Sequence, residues 1–73
     1  MITRIGITAG AIWEYLEKHE KTSSLETIIE EIQKERDLIL MSIGWLAREG
    51  HIALDGEAPE YIVRLITLTD KNL

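Results

Sequence analysis

Hydrophobic side chains recur every three or four residues along the first part of the chain. Such spacing places them on one face of a helix. They follow Thr8, whose hydroxyl can accept a hydrogen bond from an early helical N–H, so a first helix is predicted to begin there. The apolar positions of this helix are Ala9, Ile12, Trp13 and Leu16.

A second helical pattern begins after the polar run from Lys21 to Ser24. Ser23 and Glu26 have the spacing of a capping box, in which each side chain satisfies a backbone N–H near the other. This predicts a second helix from about Ser24 to Gln33. Its apolar stripe would consist of Leu25, Ile28, Ile29 and Ile32.

The third pattern predicts a helix from Arg36 to Glu49 that ends at Gly50, since glycine tolerates the left-handed backbone at a helix end. Two β-prone runs follow, over residues 51–54 and 61–66, with a turn-rich link over residues 55–60. This arrangement predicts a β-hairpin.

Three short helices followed by a terminal hairpin are the order of elements in a winged helix-turn-helix domain. The predicted fold class is therefore α+β, mainly α, with three helices and a C-terminal β-hairpin wing. Seventy-three residues suffice for one such domain over residues 1–73. Its core would span about residues 5–66, and residues 67–73 would form a weakly patterned tail.

Particular residues carry a resemblance to a known family. The sequence has Ile5-Gly6, then Ala9-Gly10 with Ile12-Trp13, and then the run Gly-Trp-Leu-Ala-Arg-Glu-Gly over residues 44–50. Together these resemble a family of small prokaryotic winged helix-turn-helix domains that is catalogued as a domain of unknown function. The resemblance extends from about Ile5 to Ile66 and implies the fold, without a ligand or an activity.

Composition argues against several classes of function. The chain has no cysteine, and its two histidines, His19 and His51, lie in different elements, so no metal site, no other cofactor and no catalytic activity are expected. A net charge of −5 disfavours nucleic acid, for which a basic surface is typical. No apolar run is long enough for a membrane span, and a cytoplasmic protein is expected.

The predicted third helix has two distinct faces. Counting about 100° per residue puts Ile39, Ile43, Leu46 and Ala47 on the side that packs inward. The opposite side would carry Asp37, Leu38, Met41, Gly44, Trp45 and Arg48. A helix that reads DNA needs Arg, Lys, Asn or Gln there, and Arg48 alone qualifies.

Two hypotheses follow for this outer face. Leu38, Met41 and Trp45 are spaced three and four residues apart, and as an exposed apolar stripe they would mark a contact with a second copy of the chain or with another protein. Alternatively, the hairpin or the tail covers Trp45 and makes it part of the core. Trp13 is predicted to fill the core or its rim.

The other function considered is that of a DNA-binding transcriptional regulator. Its phosphate contacts would come from Arg36, Arg48 and Arg64. The predicted wing tip opposes this function, because it holds three acidic residues, Asp55, Glu57 and Glu60. The sequence therefore favours a non-catalytic homodimeric interaction module in a regulatory setting.

Overall fold

The computed structural model describes residues 2–66 and contains three helices and one three-stranded sheet. In chain order the elements are α1 (Ile2–Lys18), β1 (Thr22–Ser24), α2 (Leu25–Glu31), α3 (Arg36–Arg48), β2 (Ile52–Glu57) and β3 (Glu60–Leu65). The predicted winged helix arrangement is confirmed. The predicted tail, residues 67–73, lies outside the described residues.

Helix α1 begins six residues earlier than predicted. Thr8 does not cap the helix but lies within it, with its side chain buried against the core. The sequence suggested a later start because the Thr8 hydroxyl is a suitable cap for the apolar pattern that follows it. Packing against α3 stabilises this first part of α1, and tertiary contacts of this kind commonly override local propensity.

The start of α2 differs from the predicted capping box. Ser24, rather than Ser23, is the capping residue, and its hydroxyl oxygen accepts a hydrogen bond from the Thr27 N–H at 3.1 Å. Ser23 instead belongs to strand β1, where it pairs with Val63. The helix also ends earlier than predicted, at Glu31.

The antiparallel sheet has the strand order β1-β3-β2, and β1 was not predicted. Ile52 pairs with Leu65 at the base of the wing, and Glu57 pairs with Glu60 at its tip. Strand β2 extends three residues beyond its predicted end and β3 begins one residue earlier than predicted, so the turn between them is tighter. The short β1 is polar throughout, and its partner β3 is distant in sequence, so no local pattern could reveal it.

The junction between α3 and the wing confirms the predicted helix end. Gly50 has a φ of +77°, in the left-handed region that glycine adopts without a side-chain clash. The next amide, that of His51, donates to the carbonyl oxygen of Leu46 at 2.9 Å. This backbone bond directs the chain from the end of α3 straight into β2.

The hydrophobic core lies where the three helices meet the inner face of the sheet. Its buried members are Ala9, Ile12 and Leu16 of α1, Ile28 of α2, Ile39, Ile43 and Leu46 of α3, and Ile52, Val63 and Leu65 of the sheet. Every helix and both wing strands contribute, so the wing is part of the fold and not an appendage.

One buried hydroxyl joins α1 to α3. Ser42 is fully buried and donates to the Leu38 carbonyl oxygen at 2.8 Å, while the Ile5 carbonyl oxygen lies 3.3 Å away. A buried hydroxyl without a partner would cost free energy. Here both acceptors are backbone carbonyls, one on each helix, so the hydroxyl is satisfied and links α1 to α3.

Truncating Ile39 tests this view of the core. We expect Ile39→Ala to lower the free energy of unfolding by about 3 kcal/mol, because the side chain is fully buried and its loss leaves a cavity. The adjacent Leu40 is partly exposed, and Leu40→Ala is expected to cost about 1 kcal/mol or less. Urea unfolding of both variants at one protein concentration measures the difference; equal losses would contradict this packing.

Candidate interaction surface

The structure corrects the predicted outer stripe of α3 at Leu38. This side chain is only 3% exposed and belongs to the side of α3 that faces inward, together with Ser42 one turn later. Counting residues placed Leu38 on the outer side of α3 with Met41 and Trp45, and this placement is wrong. Leu38 therefore cannot anchor a partner on the surface of the folded domain.

Met41 and Trp45 lie on the surface of α3 as predicted. Their exposed fractions are 41% and 45%, and they are four residues apart, so their side chains are neighbours along the helix. Trp13 on α1 is 43% exposed and was predicted to lie in the core or at its rim. Trp13 is thus an exposed side chain outside the core cluster, and its predicted place in the core or at its rim is wrong.

A groove separates the two tryptophans. It is lined by Gly6, Ala9, Gly10, Trp13, Trp45, Leu46 and His51. A second depression adjoins it at the beginning of α1 and is lined by Ile2, Ile5, Gly6 and Trp45. The groove and the depression share Gly6 and Trp45, so they form one continuous apolar surface, which we call the α1/α3 face.

The glycines of α1 keep the α1/α3 face open. A Cβ atom built at Gly6 or Gly10 would meet no other group within 4 Å. Ile2, Gly6, Gly10 and Trp13 follow one another at spacings of four, four and three residues, which places them along one side of α1. The sequence contained this signal, but it was hidden by the late predicted start of the helix.

The start of the wing supports Trp45 from one side. The His51 ring lies 6.2 Å from the Trp45 ring, measured between centroids, with 36° between their planes. Within residues 2–66, this contact still leaves nearly half of Trp45 accessible. The alternative that the hairpin buries Trp45 is wrong, and the alternative that the tail covers it concerns residues outside the described part.

The arginines considered for DNA differ in their surroundings. Arg36 pairs with Glu26 at 3.6 Å, and Arg64 pairs with Asp55 at 3.1 Å. Arg48 is exposed and makes no ion pair within residues 2–66. The three arginines therefore do not form one basic patch with free charges.

The wing carries acidic groups at its far end. Asp55, Glu57 and Glu60 are all exposed, and Arg64 is the one basic residue in the two wing strands. Phosphate groups would be repelled by this tip, because phosphate contacts need positive charge. The structure therefore places the predicted acidic residues where a DNA-binding wing would need basic ones.

Between residues 2 and 66, no group of three or more histidine and acidic side chains is arranged to hold a metal ion. In the same part of the chain, no helix is both long and apolar enough to cross a bilayer.

Comparison with known proteins identifies the family. The model of a family described as a winged helix-turn-helix domain (DUF2582), without a known function, matches residues 1–65. An uncharacterized protein of Methanocaldococcus jannaschii is 36% identical over 63 residues, which cover 85% of this chain and 90% of that protein. No solved structure gives a significant match. The chain therefore belongs to this winged helix-turn-helix family of unknown function.

Proposed function

We propose that the protein is a non-catalytic interaction module that forms a homodimer through its α1/α3 face and serves in a regulatory setting. The observation that carries the proposal is the position of Trp13 and Trp45, each nearly half exposed on either side of a groove whose floor contains two glycines. Winged helix-turn-helix families are typically non-catalytic, and this supports the proposal of a non-catalytic role.

The tryptophans offer enough apolar area to anchor a contact. Full burial of a tryptophan covers about 150–250 Å², so roughly 100 Å² of each remains to be covered. At about 25 cal/mol per Å², covering one of them contributes about 2.5 kcal/mol. Part of this gain is offset by the lost translational and rotational freedom of the partners. Tryptophan is enriched among the residues that dominate binding energies.

The size of the domain also favours association. A chain of this length buries only about 60% of the surface that its unfolded form exposes, and its stability is small. The protein has no cysteine with which a disulfide could compensate. Covering the α1/α3 face with a second copy would add buried apolar surface and would stabilise the folded state through mass action.

The alternative function is DNA binding, which the winged helix-turn-helix fold itself favours. In that class of motif, base contacts come mainly from the amino-terminal part of the recognition helix. Here that part carries Asp37, whereas Arg48 lies in the last turn of α3. The ion pairs of Arg36 and Arg64 further reduce the positive charge available to phosphates.

Replacing one anchor tests the homodimer. We expect Trp45→Glu to convert the protein to a monomer, because the variant would bury two carboxylates at the contact. Leu54→Glu is a matched control, since Leu54 is 47% exposed but lies on the wing, away from the α1/α3 face. Sedimentation velocity over a concentration series gives the mass of each variant, and circular dichroism shows that each is folded.

A folded wild-type monomer at high concentration would overturn the proposed homodimer. Loss of the dimer in both variants would show that any added negative charge is sufficient, and the contact would then not be located on the α1/α3 face.

Titration with random duplex DNA tests the alternative. At low salt, where phosphate contacts are strongest, we expect no change in the fluorescence anisotropy of a labelled duplex at micromolar protein. A shift that weakens steeply with added salt, and is lost in Arg48→Ala, would favour the DNA-binding regulator instead.

A further inference from the structure

We propose that two copies of the chain pack their α3 helices antiparallel, with Asp37 of each copy next to the partner's Arg48. This inference rests on the proposed homodimer and specifies its geometry. It concerns four exposed residues of α3, which we call the α3 stripe: Asp37, Met41, Trp45 and Arg48.

The α3 stripe is a continuous row on the helix surface. Its members follow one another at spacings of four, four and three residues. At about 100° per residue, all four lie within about 80° of one another around the helix axis. The row has an acidic group at its first end, two apolar groups in the middle and a basic group at its last end.

This order makes the α3 stripe complementary to itself when reversed. If a two-fold axis crosses the contact at the level of Ile43 along the helix, Met41 faces the partner's Trp45, and Trp45 faces the partner's Met41. Asp37 then lies level with the partner's Glu49, about 1.5 Å along the axis from the partner's Arg48. At about 100° per residue, Glu49 lies about 80° around the axis from the middle of the α3 stripe, whereas Arg48 lies within it. The long arginine side chain spans that offset, so one operation matches both the apolar and the charged positions.

The two charged residues of the α3 stripe form no ion pair within residues 2–66, although the Asp37 carboxylate accepts a hydrogen bond from the Leu38 N–H at 2.9 Å. Arg4, Arg36 and Arg64 each form an ion pair with an acidic side chain. Arg48 is the one arginine that forms none within residues 2–66, and Asp37 likewise forms none there. The α3 stripe therefore carries one acid and one base outside any ion pair of the described residues, at opposite ends of its apolar pair.

A parallel arrangement of the two helices would be unfavourable. It would bring Asp37 next to the partner's Asp37 and Arg48 next to the partner's Arg48, and like charges repel. Antiparallel helices also bring the positive end of one helix dipole near the negative end of the other. Both effects favour the antiparallel contact.

Two single charge reversals test the orientation. In Asp37→Arg, the proposed contact would bring two pairs of arginines together, and in Arg48→Asp it would bring two pairs of aspartates together. We expect each variant alone to dimerise at least tenfold more weakly than the wild type. In an equimolar mixture, both pairs of the heterodimer are again oppositely charged, so affinity is expected to return to that of the wild type.

Sedimentation equilibrium of each variant and of the mixture measures these affinities. Arg36→Asp is the matched control, because it makes the same charge change on α3 outside the stripe and is expected to leave dimerisation within about twofold of the wild type. The effect of the stripe reversals should also shrink at high salt, which screens exposed charges.

The outcomes separate this inference from the proposed homodimer. If Trp45→Glu abolishes dimerisation but the single reversals dimerise as tightly as the wild type, the α1/α3 face is the contact and the antiparallel charge pairing is wrong. A mixture tighter than the wild type, with unweakened single variants, would indicate parallel helices. A wild-type protein that remains monomeric would overturn both proposals.

Discussion

The packing of α1 along α3 determines most of what this molecule presents to its surroundings. The buried Ser42 hydroxyl lies between carbonyl oxygens of the two helices, and the apolar side chains of both helices meet in one core. Since this contact fixes the two helices relative to each other, it also fixes the distance between Trp13 and Trp45. The groove between them is a consequence of the core, because Gly6 and Gly10 add no side chains to fill it.

Local patterns in the sequence predicted the elements that depend on local chemistry. The end of α3 at Gly50 needed only the backbone freedom of glycine, and the hairpin needed two β-prone runs with a turn between them. Strand β1 depends instead on β3, about forty residues away, and its Thr-Ser-Ser sequence resembles a helix cap. Helix α1 also begins where local propensity opposes it, so its start and the burial of Leu38 required knowledge of the packing between helices.

The candidate surface was predictable in part for the same reason. Met41 and Trp45 are on the outer side of α3 whatever its neighbours do, and both are exposed in the structure. The contribution of α1 could be seen only once the helix was known to begin at Ile2. The fold is thus that of a winged helix-turn-helix domain, but the outer side of α3 carries apolar side chains and the wing tip carries acidic ones. The fold requires apolar side chains at core positions, whereas DNA binding requires basic side chains on the surface. This chain meets the first requirement more fully than the second.

The emission of tryptophan tests the central claim most directly, because the chain has two tryptophans and both lie on the α1/α3 face. If a second copy covers this face, the emission maximum will move to shorter wavelengths as protein concentration rises, over the same range in which the mass doubles. An emission maximum that stays constant from nanomolar to millimolar protein, with the mass of a monomer throughout, would contradict the account.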